Sequence, residues 1–248
     1  MVVIKSPEEV EIMRQAGRIV AAILERLKEE IEPGVRTRQL DSVALVELKK
    51  WGAKSSFKGY QGFPASLCVS VNDEIVHGIP GERLLVEGDI VSLDFGAFLN
   101  GFHGDAAITV GVGAISPEAQ QLLEVTEASL MAGIKTARCG GCLGDISAAI
   151  QNYVEAKGFS VVREYSGHGI GKDLHEEPLV PNFGVHGEGP VLREGIVLAL
   201  EPMVNAGGWR TRLANDRWTV LTADGSLSAH FEHTIVISNN DPEILTAL

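Results

Sequence analysis

Two aspartates interrupt an apolar stretch, LDFGAFLNGFHGDAAITV (residues 93–110), that otherwise has the composition of paired core strands. Asn100-Gly101 at its centre is typical of a two-residue hairpin turn. Such a turn pairs Asp94 with Ala107, and Asp105 lies two residues along from Ala107. Both aspartates then point to one face of the sheet, about 7–8 Å apart at the backbone. A three-residue loop would break this parity.

The chain consists of two similar halves. Ser6 and Ser116 are each followed by Pro-Glu, which is typical of a helix N-terminus, and each leads into a helical segment. A second helix follows in each half, over about 38–51 and about 143–157, and ends at Gly52 or Gly158. β-rich segments come next. The pattern predicts a duplicated α/β chain with halves of about 1–112 and 113–248.

Each half carries two carboxylates on matching strands. The segment IVSLD, which ends at Asp94, resembles VLALE, which ends at Glu201. The segment that begins at Asp105 likewise resembles the one that begins at Glu232, with a longer connection in the second half. We therefore expect all four acids to lie together.

Four buried carboxylates need compensation, because an unpaired charge in an apolar sheet costs several kcal/mol. A solvated sheet face is the alternative, but the apolar runs before Asp94 and Glu201 indicate strands buried on both faces. These strand segments contain no Lys or Arg. Two divalent metal ions bridged by acids would neutralise the four groups, as in two-metal hydrolytic sites.

Histidines add further candidates. His168 lies between glycines in SGHGIG, where the backbone can approach a metal closely, and is the best fifth ligand. His175 and His77 lie among rigid turn residues and could act as hydrogen-bond donors or acid-base groups, although a structural loop histidine is the alternative for His77. His233 should face away from Glu232 along its strand. The others are expected to be structural or exposed: His103, His186 and His230.

Composition narrows the class of protein. The 248 residues are 45% hydrophobic, with a net charge of −12, which argues against direct nucleic-acid readout. No apolar run approaches a membrane span, and the N-terminus lacks a signal-peptide layout, so we expect a cytoplasmic protein without membrane association. Three cysteines fit a reducing compartment. Cys139 and Cys142 resemble half of a redox or zinc motif, but a tight turn is the simpler interpretation.

The motifs HGIP, DFGAFLNGFHGDAAITV, GHGIGKDLHEEP, EPM and SAHFEHTIVIS, taken in this order and spacing, resemble the type I methionine aminopeptidases over essentially the whole chain. The resemblance implies a pita-bread fold, which is an internally duplicated α/β (α+β) architecture with a central antiparallel sheet and helices on its outer face. It implies one catalytic domain over 1–248. It also implies a metalloprotease and hydrolase that removes N-terminal methionine co-translationally and favours small second residues.

The resemblance implies a role for each candidate residue. The metal ligands would be Asp94, Asp105, His168, Glu201 and Glu232, with Asp105 and Glu232 bridging two divalent ions. A metal-activated hydroxide would attack the first peptide bond while Glu201 relays a proton. His175 would stabilise the oxyanion, and His77 would contact the amide of the second residue. Co, Mn, Fe or Zn would suit the ligand set.

The resemblance also implies a methionine pocket formed by four side chains: Tyr60, Phe63, Cys68 and Trp218. Phe57 stands where a smaller residue can occur in the family, and Leu174 where an aromatic residue often occurs, so the shape of the pocket is expected to differ. A site for a monovalent cation is implied near Asn72, Glu74 and Ser228.

The implied partner is a peptide or nascent chain that begins with methionine, bound by a monomer that associates at most transiently with ribosomes. Prolidases usually carry an additional N-terminal domain, for which residues 1–6 are expected to leave no room. Type II methionine aminopeptidases carry an insertion between His168 and Glu201 for which this chain has too few residues. A catalytically silent binding protein of the fold would have lost ligands, and all five are present.

Overall fold

The computed structural model describes residues 2–248. Four helices and one short 3₁₀ turn alternate with strands in chain order. The helices are α1 (Pro7–Lys28), α2 (Thr37–Lys50), α3 (Pro117–Thr136) and α4 (Leu143–Glu155), and the 3₁₀ turn is Tyr60–Gly62. The strands of the first half are β1 (Lys54–Ser55), β2 (Cys68–Val71), β3 (Glu74–Val76), β4 (Ile90–Leu99) and β5 (Phe102–Gly111).

The second half contains ten strands. They are β6 (Ser160–Val161), β7 (Ser166–Gly169), β8 (Glu176–Pro181), β9 (Val197–Leu200), β10 (Met203–Asn205), β11 (Thr211–Leu213), β12 (Val220–Thr222), β13 (Ser228–His230), β14 (Glu232–Val236) and β15 (Glu243–Ile244). Each half therefore begins with a helix pair and continues into strands, as the sequence pattern predicts.

The first helix of each half begins where its capping residues predict. The Ser6 hydroxyl accepts a hydrogen bond from the backbone N–H of Glu9, and the Glu9 carboxylate accepts one from the N–H of Ser6. The Ser116 hydroxyl accepts from the N–H of Ala119. Such caps satisfy amide groups that the first turn leaves without partners, and each contributes about 1 kcal/mol.

A nine-stranded antiparallel sheet joins the two halves, in the order β1-β4-β5-β14-β9-β7-β8, with β2 on β4 and β15 on β14. The halves meet where β5 pairs with β14, with Glu232 opposite Ala107. The Thr234 hydroxyl locks this junction, because it accepts from the Asp105 N–H at 3.0 Å and donates to the Asp105 carbonyl at 2.7 Å. The predicted antiparallel α/β fold is confirmed.

The hairpin has the predicted register. Asn100 and Gly101 have φ of +48° and +92°, as a two-residue turn of the type favoured in hairpins requires. Asp94 pairs with Ala107 and Asp105 with Gly96, so the two acids are diagonal neighbours on one face.

Strand alternation separates the core from the acids. Leu93 and Phe95 are buried in the apolar cluster beneath α1 and α2, so Asp94 between them points to the other face. Leu198 and Leu200 are buried in the cluster beneath α3 and α4, which directs the positions between and after them to the opposite face. One face of the sheet therefore packs on helices, and the other carries the carboxylates.

Candidate metal centre

Four carboxylates converge on adjacent strands in the middle of the sheet. Asp94 lies on β4, Asp105 on β5, Glu232 on β14, and Glu201 directly follows β9. Ligand atoms of Asp105, Glu232 and His168, one from each residue, all lie within 4.8 Å of one another. The sheet thus brings acids from both halves into one buried cluster.

The acids lack the partners that buried carboxylates need. Within residues 2–248, none of the four forms an ion pair with Lys or Arg. Buried oxygens without a hydrogen-bond partner remain on Asp94 (Oδ1), Asp105 (Oδ1) and Glu232 (Oε1). An orphaned buried acceptor costs about 1–3 kcal/mol, and more when charged. The donor set and its unpartnered oxygens fit divalent cations.

Burial changes the acidity of the cluster. It raises the pKa of Asp94 to about 7, which a hydrogen bond from the Cys68 thiol partly opposes. The pKa of Asp105 is raised well above its usual value by burial and by the neighbouring Asp94 and Glu201 carboxylates. Burial and adjacent acids likewise raise the pKa values of Glu201 and Glu232 well above the usual range. Without a cation, the cluster retains protons near neutral pH.

His168 presents a free ring nitrogen to the acids. Its Nδ1 lies 2.8 Å from the carbonyl oxygen of Gly169, and a carbonyl only accepts, so the proton is assigned to Nδ1. Nε2 therefore carries a lone pair, 3.6 Å from Oε1 of Glu201. Burial, together with the nearby His175, lowers the pKa of His168 to about 3, which keeps the ring neutral, as a metal ligand must be.

His230 belongs to this region, although its sequence context predicts a structural or exposed residue. It is only 1% exposed, and its Nε2 lies 3.7 Å from Oε2 of Glu201 and 4.0 Å from Oε2 of Glu232. Neither ring nitrogen has a hydrogen-bond partner. The two-residue spacing from Glu232 could have indicated this placement, since residues two apart on an extended chain share a face.

Three of the remaining five histidines lie away from the acids: His103, His186 and His233. His103 is half-buried, with its Nδ1 2.8 Å from the Ser56 hydroxyl, and the exposed His186 pairs with Asp145. His233 faces away from the acids, as predicted, and its Nδ1 lies 2.9 Å from the Thr246 hydroxyl.

A cavity of about 210 Å³ opens onto the acids. Its wall includes an aromatic pair, in which the rings of Phe63 and Trp218 meet edge to face at 5.2 Å. All the predicted pocket residues line it, and so does Gln61, which the sequence analysis did not select. The lining is completed by Phe57, Tyr60, Cys68, His77, Leu174 and His175 together with the four acids and His168.

Two histidines flank the cavity above the acids. The ring of His175 lies 4.2 Å from that of His168, centroid to centroid, and its Nδ1 is 2.6 Å from the Tyr60 hydroxyl. The ring of His77 packs edge to face on Tyr165 at 5.9 Å. Burial lowers the pKa of His175, and burial with the nearby His175 lowers that of His77 to about 4, so both rings are neutral near pH 7.

The residues of the expected monovalent-cation site lie close together. The Ser228 N–H donates to the Asn72 carbonyl at 2.9 Å, and Asn72 has φ of +61°. The Glu74 carboxylate accepts from the Val71 N–H and pairs with Arg83 at 3.0 Å.

The structure adds two negative findings for residues 2–248. None of the helices in this range has the length and hydropathy that crossing a bilayer requires. Cys68 is free and buried, Cys139 is free and exposed, and Cys142 is free and precedes α4.

Comparison with known proteins identifies close relatives. The model of metallopeptidase family M24 matches residues 11–239. Methionine aminopeptidase 1 of Bacillus subtilis is 56% identical over 246 residues, which are 99% of each chain, and the methionine aminopeptidase of Clostridium perfringens is 54% identical over the full length of both. The crystal structure of methionine aminopeptidase from Thermotoga maritima superimposes with a TM-score of 0.99 at 47% identity, over all of both chains.

Proposed function

The chain belongs to metallopeptidase family M24, and from this premise we propose that it is a hydrolase that removes N-terminal methionine from peptides and nascent proteins. The observation that carries the proposal is the cluster of four carboxylates, three of which have a buried unpartnered oxygen, at the inner end of a small, largely apolar cavity. Relatives over the full length of the chain share the name methionine aminopeptidase.

Two divalent ions are proposed to occupy the cluster. The ligands would be the four acids and one neutral imidazole: Asp94, Asp105, His168, Glu201 and Glu232. Asp105 and Glu232 lie on the paired strands β5 and β14 at the centre, which supports a bridging role for both. When bound, such ions lower the pKa of water and supply a nucleophile near neutral pH. Mn, Fe, Co and Zn all suit these donors.

The side chains around the cluster would handle protons and developing charge. Glu201, whose pKa burial raises well above the usual value, is suited to accept a proton and deliver it to the leaving amine. Neutral His175 would donate a hydrogen bond to the carbonyl oxygen of the first peptide bond as it gains charge. His77 would contact the amide of the second residue.

The cavity wall would hold the methionine side chain. Phe63, Trp218 and Tyr60 offer ring faces and edges, and Cys68 adds a buried sulfur, a lining suited to a polarisable thioether. Phe57 and Leu174 complete the pocket and would set how closely it fits. Asp94 at its inner end would bind the free amine, which explains removal of one N-terminal residue only.

The remaining features of the proposal rest on family likeness. They are action in the cytoplasm as a monomer, transient ribosome association, a preference for small second residues, one catalytic domain of two halves, and a monovalent cation near Asn72, Glu74 and Ser228. The three free cysteines support a reducing compartment.

The test is release of free methionine by the purified chain from Met-Ala-Ser, measured for each of Mn²⁺, Fe²⁺, Co²⁺ and Zn²⁺ with a chelator control. We expect release with metal, none with chelator, and none from acetylated Met-Ala-Ser. Equal cleavage of peptides with leucine or proline in the second position would indicate a different exopeptidase.

A further inference from the structure

The Tyr60 hydroxyl is in hydrogen-bond contact with His175. Its Oη lies 2.6 Å from Nδ1 of the imidazole, a short distance for an O–H to nitrogen contact. Tyr60 also lines the cavity beside the acids. The contact gives it a second task, which is separate from contact with the methionine side chain.

The contact links the position of the imidazole proton to the direction in which the Tyr60 hydroxyl points. A neutral histidine carries one ring proton, so a nitrogen that accepts a hydrogen bond leaves the proton on the other nitrogen. If the Tyr60 hydroxyl donates to Nδ1, the N–H group of His175 is on Nε2.

The backbone next to His175 is fixed independently of Tyr60. The adjacent Glu176 carboxylate forms an ion pair with Lys5 at 2.6 Å, and the two side chains are only 9% and 2% exposed. The other Glu176 oxygen accepts from the Lys172 N–H at 2.9 Å. A Cβ on Gly171 would collide with that oxygen, so a larger residue there would have to displace the Glu176 side chain. These contacts anchor the loop, but they fix neither the rotation of the His175 ring nor the position of its proton.

The backbone of Tyr60 is also held in place by hydrogen bonds. Its N–H donates to the Phe57 carbonyl at 2.9 Å, and its carbonyl accepts from the Phe63 N–H at 2.9 Å. Gly59 before it has φ of +86°, a conformation that glycine adopts without strain. This turn directs the tyrosine ring across the cavity towards His175, with ring centroids 5.1 Å apart.

We propose that Tyr60 is a positioning residue that holds His175 as the tautomer with its proton on Nε2, so that this N–H is directed to the carbonyl oxygen of the bond to be cleaved. The catalytic part rests on the proposed function, whereas the tautomer does not. The hydroxyl acts through the imidazole.

The experiment combines kinetics with NMR on the Zn²⁺-loaded enzyme. Tyr60→Phe removes only the hydroxyl, and we expect kcat for Met-Ala-Ser to fall about 10- to 100-fold, as is typical when the partner of a functional histidine is lost, with KM nearly unchanged. In ¹⁵N-histidine spectra, assigned with His175→Gln, the wild-type His175 should carry its proton on Nε2. In Tyr60→Phe it should shift to a mixture of tautomers.

Two controls separate positioning from general damage. Tyr153→Phe, on α4, removes a hydroxyl remote from the cavity and should change neither kcat nor the His175 signals. Phe63→Leu alters the pocket wall and should raise KM without changing the tautomer.

The wild-type spectrum tests the proposal even if Tyr60→Phe folds poorly, because a His175 proton on Nδ1 would overturn it directly. Unchanged kcat and unchanged tautomer in Tyr60→Phe would also overturn it. If the wild-type enzyme released no methionine, the proposed function would fail while the tautomer measurement still decided the role of Tyr60.

Discussion

Each half of the molecule contributes two carboxylates, but their structural settings differ. Asp94 and Asp105 lie on one hairpin joined by two residues, whereas the strands that present Glu201 and Glu232 are joined by a connection that contains β10 to β13. The tight hairpin leaves the first pair little freedom. The long connection of the second half adds Trp218 to the cavity wall and His230 beside the acids.

The strands that flank the acids differ as well. In the first half, β2 places Cys68 opposite Asp94. In the second half, β7 pairs with β9 and places His168 next to Glu201. The first half therefore provides part of the cavity wall where the second provides the imidazole of His168 and the loop of His175. In the proposed function, the matching acids of the two halves would hold the ions, while the different flanking strands would separate substrate binding from proton transfer.

The strongest test of this comparison replaces one central acid in each half. Asp105→Asn and Glu232→Gln should each reduce kcat/KM roughly a thousandfold, or about 4 kcal/mol of activation free energy, because each removes a charge that both ions would share. Methionine release and metal content per chain are the measurements. Asp145→Asn, a helix-capping acid outside the cluster, should keep full metal content. If one central variant retained both ions, the two halves would not be equivalent.

A second test exploits the difference between the flanking strands. His168→Ala should lower activity about 100-fold and weaken metal binding, which titration calorimetry measures, since it removes the nitrogen donor. Cys68→Ala should leave metal binding nearly unchanged and raise KM. His233→Ala, on the opposite face of β14, is the matched control and should bind metal normally. Equal metal affinities for His168→Ala and wild type would contradict the assigned asymmetry.

The pH dependence of metal binding tests the raised pKa values of the buried carboxyl groups. Because burial raises the pKa of Asp94 to about 7, metal must displace a proton below that pH. Apparent affinity should therefore rise between pH 6 and 7 by up to tenfold per displaced proton, about 1.4 kcal/mol. For the metal-free protein, the free energy of unfolding should instead fall as the pH rises. The raised folded-state pKa of Asp94 stabilises the protein at low pH, and this stabilisation is lost as the pH rises through 7.

Calorimetric titration with Mn²⁺ at pH 6, 7 and 8 measures this dependence, and thermal unfolding of the metal-free protein at the same pH values measures the opposite trend. Metal affinity that did not change with pH would show that the acids are already ionised before the ions bind.

The smallest expected effect concerns the hairpin turn itself. Gly101→Ala should destabilise the protein by about 1 kcal/mol, because φ of +92° strains any residue with a Cβ. The added methyl meets nothing within 4 Å, so strain is the sole cause. Gly225→Ala, at φ of +76° in the second half, should cost a similar amount. Urea unfolding measures the loss of stability in both variants. An unchanged urea midpoint for Gly101→Ala would show that the hairpin does not depend on the glycine in its turn.

Local sequence patterns predicted the features that depend on neighbours in the chain. The Ser6 and Ser116 caps, the Asn100-Gly101 turn and the shared face of Asp94 and Asp105 all follow from backbone geometry over a few residues. Comparison of the two halves predicted that Glu201 and Glu232 lie together with these aspartates. The placement of His230 follows the same two-residue rule but was missed, because His230 lacks the glycine and turn neighbours that favoured the other histidines.

The sequence by itself determined the period of the strands, the start of the first helix in each half and the register of one hairpin, since these depend on contacts between residues close in the chain. Only the tertiary structure decided that β5 pairs with β14, that His230 lies against Glu201, and that Tyr60 meets His175. The physical reason is distance along the chain. Such contacts form only when helices bury one face of the sheet, which leaves the other face to gather the polar groups that the core excludes.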